Sequence, residues 1–281
     1  MTALVLDLQS AARPFLSELG ELPSLADPTA AQRTWRARMV NEHVSARVFG
    51  ALLGQAMAAG LSAQRQTQLA DFACEELRHA RQCAAVVQAL GGAAVAELPN
   101  LPAVPQHAEV DPLQALLRNI VSVCCLSETV AVALIRAETL QIGPPGLRSL
   151  LDQILADEVG HAQFGWSLLR ELAPLPAALE QGLTSYAKVA MDHVIEHELA
   201  HLPDHRGFGP AAAQVGVCSG RAARALLADT LATVVAPGLL SLGIDARTPR
   251  LSQLCEEFAV PAGVCVIHTA KASDLQWAKL A

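Results

Sequence analysis

The sequence predicts an all-α protein: a four-helix bundle with one long crossover, followed by additional C-terminal helices. Ala and Leu are abundant while aromatic residues make up only 4% of the chain, and this balance favours helices over sheets. Four long segments repeat apolar residues at three- and four-residue steps, as amphipathic helices do. The Pro-rich residues 93–110 connect the second segment to the third. Fully extended, such a connection spans on the order of 60 Å, enough to run the length of a bundle.

Capping residues, prolines and glycines mark where each helix begins and ends. Gly60 ends the first helix, Ser62 caps the second, and Asp111 with Pro112 starts the third. We predict six helices, at about residues 30–59, 62–90, 111–143, 146–172, 177–201 and 219–240. The chain then divides into a lead-in segment, the bundle and a helical extension packed on it, at residues 1–29, 30–172 and 173–281.

Six polar residues interrupt the apolar faces of the four bundle helices. Taken in chain order they are Glu42, Glu76, His79, Glu128, Glu158 and His161. Burying an unpaired carboxylate costs several kcal/mol, so each needs a partner or a metal ion. In a Glu-x-x-His motif the two side chains lie one helical turn apart on one face and can reach the same ion. Two copies of the motif therefore predict a two-metal site.

An acidic residue precedes the Glu of each motif. Asp157 lies four residues before His161, where it can accept a hydrogen bond from the ring nitrogen that does not bind metal, and Glu75 holds the same place in the other copy. Such partners orient metal-binding imidazoles. The four carboxylates balance the charge of two divalent cations. Oxygen-rich ligation with one nitrogen per metal suits iron or manganese better than structural zinc.

The order Glu, Glu-x-x-His, Glu, Glu-x-x-His over residues 30–172 resembles the ferritin-like di-iron carboxylate superfamily. The resemblance implies that the four Glu and two His residues above bind two irons, with manganese as the alternative and dioxygen as co-substrate. It favours the oxygenase or oxidase branch over storage ferritins, which are much shorter. Tyr186 lies outside the motif helices, unlike the radical tyrosine of a ribonucleotide reductase small subunit. Ile154 stands where arylamine N-oxygenases of this superfamily have a third His.

We therefore expect a di-iron oxidoreductase that activates dioxygen to hydroxylate, desaturate or deformylate a small apolar substrate, such as a monooxygenase. A separate electron donor is expected, because the chain shows no reductase segment. The alternatives are a dimanganese catalase-like or ferroxidase activity and a metal-binding bundle without catalysis. They differ in the metal they need and in whether an organic substrate drives oxygen uptake.

The fifth helix carries a competing motif. His197-Glu198-Leu199-Ala200-His201 matches the H-E-x-x-H pattern of zinc peptidases, in which two His bind zinc and the Glu is the general base. A third ligand has no convincing candidate, because His205 is too close in sequence. We therefore expect at most a secondary metal or proton-handling site at His193, His197 and His201.

The charge and the cysteine content indicate which binding partners and which cellular compartment to expect. The net charge is −7 with no run of Lys or Arg, which argues against nucleic acid and anionic membrane surfaces. Polar residues interrupt the apolar runs, so no membrane span is predicted. Seven Cys without a C-x-x-C pair, and an N-terminus unlike a signal peptide, indicate a reduced, cytoplasmic protein. A homodimer remains open.

Overall fold

The computed structural model describes residues 4–100, 103–202 and 209–258, and within them the chain is mostly helical, as predicted. The helices are α1 (Arg13–Leu19), α2 (Thr29–Ala58), α3 (Ala63–Ala89), α4 (Pro112–Thr139), α5 (Pro145–Leu172), α6 (Ala177–His201), α7 (Pro210–Ala213), α8 (Gly220–Ser241) and α9 (Pro249–Phe258). Two short strands are β1 (Val5–Asp7) and β2 (Val95–Glu97). Helices α4 and α8 each contain a π-helical stretch, at Val121–Ser127 and Leu231–Val235.

The described residues form two compact units. The first takes its residues from Met1–Ala108, Glu138–Asp157 and Phe208–Val217, and the second from Glu109–Ala137, Glu158–Gly207 and Cys218–Ala281. The divisions fall inside α4 and α5, so each of these helices contributes to both units. The division of the chain at residues 29 and 172 stays a prediction.

Helix ends in the structure follow the capping chemistry of the sequence. The Ser62 hydroxyl accepts a hydrogen bond from the backbone N–H of Arg65 at the start of α3, which satisfies one of the unpaired donors there. Asp111 caps α4 in the same way, and Pro112 occupies its first turn. Gly60, which follows α2, has a φ of 71°, a left-handed conformation that Gly adopts without steric cost. These predicted boundaries are confirmed to within a few residues.

In the first unit, α2 packs along α3, and α1 also contacts α3. The predicted apolar stripe of α3 is buried throughout. On α2 the apolar face is also buried at Trp35, Met39, Phe49 and Leu52, while Glu42 on the same face is half-buried. Trp35 of α2 is fully buried and its indole N–H donates to the Val215 carbonyl at 2.7 Å. The indole thus satisfies its one polar group while its ring fills the core.

The two strands lie in the segments that the sequence left without regular structure. Strand β1 belongs to the lead-in and β2 to the Pro-rich connection, and they pair antiparallel with Leu6 opposite Ala96. The predicted irregular segments are therefore tied to each other by a short ladder. Three-residue strands are too short for a period-two pattern to be recognised.

In the second unit, α6 packs against α4, including its π-helical stretch, while α9 contacts α8 and α6. The close approach of α5 to α4 depends on Gly165: a Cβ atom there would lie 2.6 Å from Cys124 Cβ and 3.0 Å from Cys125 Sγ. The missing side chain therefore lets the two helices pack at short range. The π-helical stretch ends at Ser127, directly before Glu128, one of the predicted metal ligands.

Among the described residues, two helices are long and apolar enough to cross a membrane by length and composition: Pro112–Thr139, with mean hydropathy 1.9, and Gly220–Ser241, with 1.4. In their most apolar windows, 56% and 44% of residues are buried inside the protein. A core helix passes the same test, since buried side chains are as apolar as those that face lipid. The absence of a membrane span and the cytoplasmic location therefore stay predictions.

Candidate metal centre

The first unit brings three of the predicted ligands together. Glu76 and His79 lie one turn apart on α3 and are 1% and 0% exposed, and Glu42 approaches them from α2. The Nδ1 atom of His79 lies 3.7 Å from a carboxylate oxygen of Glu42 and 3.8 Å from one of Glu76. Glu42 of α2 therefore lies beside the Glu76–His79 motif of α3.

These separations fit a shared ion. A nitrogen and an oxygen that each lie roughly 2.1 Å from one metal are themselves roughly 3–4 Å apart, depending on the angle between them. They are too long for a direct hydrogen bond. A cation between Nδ1 and the two carboxylates would account for three polar groups that converge in an apolar interior.

Asp157 takes the expected place beside an imidazole, but on the other motif. Its Oδ2 atom lies 2.9 Å from Nε2 of His79, so the prediction that it serves His161 is wrong. Sequence spacing on one helix suggested His161, whereas the imidazole of the neighbouring helix is the one within reach. A carboxylate accepts the Nε2–H proton and leaves Nδ1 unprotonated, which is the form that binds metal.

Arg78, which the sequence did not single out, contacts the same carboxylate. Its guanidinium donates to Asp157 Oδ2 at 2.6 Å. Burial alone would raise the pKa of Asp157, but the hydrogen bonds from His79 and Arg78 outweigh it and lower that pKa below its ordinary value. Asp157 is thus held ionised and acts as an acceptor for the His79 ring. The sequence does show Arg78 as a basic residue within the Glu76–His79 motif, and this position could have suggested an acidic partner.

The second unit assembles the other three predicted ligands. Glu158 and His161 lie one turn apart on α5, with Glu158 Oε2 and His161 Nδ1 3.1 Å apart. Both are buried, at 3% and 0% exposure, and Glu128 of α4 is 7% exposed. As with His79, the Nδ1 atom is the ring nitrogen that faces a carboxylate. The two triads have the same composition, two carboxylates and one imidazole.

Two groups of ligand atoms could each hold a metal ion. The first consists of Glu42, Glu76, His79 and Glu158, and the second of Glu76, Glu128, Glu158 and His161. Within each group one ligand atom from every residue lies within 4.8 Å of all the others. Glu76 and Glu158 belong to both groups.

Glu75 is half-buried on α3, one residue before Glu76. Its expected contact with an imidazole stays a prediction. Ile154, one turn before Glu158, is 2% exposed and adds apolar surface to the buried face of α5.

The buried cysteines belong to neither group of ligands. Cys83, Cys124 and Cys125 are buried free thiols. Burial is the main cause that raises the pKa of the Cys83 thiol well above its ordinary value, and the Glu42 carboxylate raises it further. Burial does the same for Cys124 and Cys125. Thiols held protonated are poor metal ligands, so these three cysteines serve as small apolar side chains in the core.

A buried ion pair near the first triad was not predicted. The Arg38 guanidinium, one turn before Glu42 on α2, pairs with Glu138, which is 3% exposed. Burial raises the pKa of Glu138, while Arg38 acts in the opposite direction. The Arg38 side chain also lies 5.0 Å from the centre of the Trp35 ring. Sequence reasoning missed the pair because its members are 100 residues apart.

The two His residues of the competing motif, His197 and His201, are exposed on α6, as is His193 one turn before them. The ring centres of His197 and His201 are 4.3 Å apart, and those of His193 and His197 are 6.3 Å apart. In the described part of the chain no third His, Cys or carboxylate atom completes a three-ligand site with them. A catalytic zinc ion needs three protein ligands, and His205 lies outside the described residues.

The chain matches no protein-family model, no curated protein and no solved structure. The resemblance to the ferritin-like superfamily therefore depends on the six ligand positions alone.

Proposed function

We propose that this chain is a ferritin-like four-helix bundle that binds two iron ions and uses dioxygen to oxidise a small apolar molecule. The observation that carries the proposal is the pair of carboxylate and imidazole groups that share Glu76 and Glu158. Two shared carboxylates, two terminal carboxylates and two imidazoles match the donor set of dinuclear carboxylate centres in helix bundles.

The donor chemistry favours iron or manganese. Four ionised carboxylates and two neutral imidazoles carry a charge of −4, which two divalent cations balance. Carboxylate oxygens with one nitrogen per metal suit iron and manganese. The nearby cysteine thiols are protonated, so the centre lacks the thiolate ligands that copper(I) and zinc prefer. When bound, two ferrous ions would supply electrons for the reduction of dioxygen.

The residues around the ligands support their orientation. Asp157 accepts the Nε2–H of His79 at 2.9 Å and so presents Nδ1 to the carboxylates. Arg78 holds Asp157 from the other side at 2.6 Å. Contacts of this kind usually change metal affinity 10–100-fold when they are removed. The ion pair of Arg78 with Asp157 therefore helps to fix the orientation of the His79 ring.

The apolar surroundings support oxidation of an apolar substrate in preference to peroxide turnover. Val132 and Ile154 are each 2% exposed on the motif helices, and α4 has the higher mean hydropathy of the two most apolar helices. A water-poor site protects reactive oxidants from side reactions. Peroxide disproportionation needs no such apolar lining.

The test is reconstitution under anaerobic conditions with Fe²⁺ or Mn²⁺, followed by metal analysis and oxygen-uptake measurements. We expect two irons per chain, and oxygen uptake that rises when apolar aldehydes, alkanes or fatty acids are added with a reductant. Glu128→Gln should lower the iron content, whereas the exposed Asp71→Asn on α3 should leave it unchanged. Peroxide turnover by the manganese form would favour a catalase, and uptake driven by Fe²⁺ alone would favour a ferroxidase. Equal metal content in wild type and Glu128→Gln would overturn the metal centre itself.

A further inference from the structure

The exposed face of α6 carries three His residues at four-residue intervals, His193, His197 and His201. Residues four apart on a helix lie above one another on the same face. The face has a composition opposite to that of the buried centre: imidazoles in place of carboxylates, and exposure in place of burial.

The last two rings have the separation of a chelating pair. Two imidazoles that each bind one ion through a nitrogen at roughly 2.1 Å have ring centres about 4–5 Å apart when the bonds are near a right angle. The centres of His197 and His201 are 4.3 Å apart. The 6.3 Å between His193 and His197 is too long for that angle.

The tautomer of His201 is determined by a hydrogen bond. Its Nδ1 atom lies 2.7 Å from the backbone carbonyl oxygen of His197, and a carbonyl can only accept, so Nδ1 carries the proton. The Nε2 atom then has an unprotonated lone pair, the form that binds metal.

The helix end beside the pair is fixed. Arg224 of α8 donates from Nε to the Leu202 carbonyl at 2.5 Å and from its terminal nitrogen to the Leu199 carbonyl at 3.0 Å. These hydrogen bonds satisfy carbonyl groups that the last helical turn leaves unpaired. The turn that carries His201 is therefore held in helical form, and the spacing of the two rings does not depend on a frayed end.

We infer that His197 and His201 form a second, surface site for a divalent transition-metal ion, one that is independent of the buried carboxylate centre. Imidazole ligands suit Zn²⁺, Ni²⁺ and Cu²⁺, so this site differs in metal preference from an oxygen-rich centre. With two protein ligands the ion keeps open positions for water or for a ligand from another molecule. The site does not rest on the proposed oxidation activity.

The test is a Zn²⁺ titration of the untagged full chain by calorimetry, at a pH near 7.5. His201→Gln and His197→Gln should each weaken one binding event at least tenfold, since each leaves a single imidazole. His193→Gln is the matched control on the same face and should keep that event within about twofold. The imidazole resonances of His197 and His201 should shift together in NMR spectra as Zn²⁺ is added.

All three substituted His residues are exposed, so circular dichroism should show unchanged helix content in the three His variants. Wild-type affinity in both His197→Gln and His201→Gln would overturn the inference. Equal weakening by His193→Gln would also overturn it, because the ring spacing assigns the site to the other two residues. A Glu128→Gln variant should keep the surface event while it loses metal at the buried centre, which distinguishes failure of one site from failure of the other.

Discussion

The substitution Glu76→Gln distinguishes two roles for Glu76, metal ligand or partner in a structural ion pair. The two roles predict opposite signs for the change in the unfolding free energy of the metal-free protein. If Glu76 were present to pair with a protonated His79, the substitution would leave a buried partner behind. Such a loss costs about 3–5 kcal/mol. If Glu76 is a metal ligand, the metal-free protein carries it as one of several carboxylates that repel each other, and its removal relieves that repulsion.

The magnitude follows from the ligand separation. Carboxylate oxygens of Glu42 and Glu76 lie within 4.8 Å of each other. Two unit charges at that distance repel by about 3.5 kcal/mol at an effective dielectric constant of about 20. Polar groups around the two carboxylates offset part of this repulsion. We therefore expect metal-free Glu76→Gln to be as stable as metal-free wild type, or more stable by up to about 3 kcal/mol.

Metal should reverse the order. An ion at a hundredfold excess over its Kd stabilises the folded state by about 2.7 kcal/mol, which for a chain of this size raises Tm by roughly 5–10 °C. Wild type should gain this shift with Fe²⁺ or Mn²⁺, and Glu76→Gln should lose most of it. The assay is thermal unfolding by circular dichroism, with and without metal, and with Asp71→Asn as the control.

Two results would refute this reasoning. One is a fall of 3 kcal/mol or more in the metal-free stability of the Gln variant, since the structural ion pair predicts a loss of about that size. The other is an equal metal-induced rise in Tm for Glu76→Gln and for wild type, which would place the ion elsewhere.

Two further substitutions test the packing and the orientation of the ligands. Gly165→Ala should destabilise the protein by about 1–3 kcal/mol in denaturant unfolding, because the added methyl group would lie 2.6 Å from the Cβ atom of Cys124. Gly160→Ala on the same helix meets no atom within 4 Å and should stabilise by about 0.5–1 kcal/mol through helix propensity; equal effects at the two positions would contradict the close approach. Asp157→Asn should weaken metal binding 10–100-fold in a competition titration by removing the charge beside His79, and unchanged affinity would show that this contact does not tune the ligand.

The positions of the helices were predictable because their signals are local. Ser62, Asp111 and Gly60 act on their own helix ends, and the structure has the ends where these residues place them. The buried stripe of α3 was equally readable, because its polar members Glu76 and His79 share the spacing of their apolar neighbours. Helix caps and helical spacing were therefore enough to predict the fold class and the burial of the motif residues on α3.

The missed features depend on contacts between distant segments. The partner of Asp157 is His79, 78 residues away, and no spacing rule on one helix selects it over His161. The Arg38–Glu138 pair likewise joins distant residues. The ladder of β1 with β2 offered three residues on each side, which is too few for a periodic signal.

In α4 the direction of Glu128 depends on how many residues the π-helical stretch Val121–Ser127 contains and on its wider turn. A π turn holds one residue more than an α turn, and each residue of an α-helix advances the side-chain direction by about 100°. An in-frame deletion of a single codon, such as that of Ser122, would restore an ordinary α-helix at this point. It would leave the direction of Glu128 relative to the residues before the stretch nearly unchanged, because the wider π turn absorbs the extra residue. A substitution that tightens the stretch to an ordinary α-helix without shortening the chain should instead turn Glu128 by about 100°, and should therefore be more damaging than the deletion of one residue.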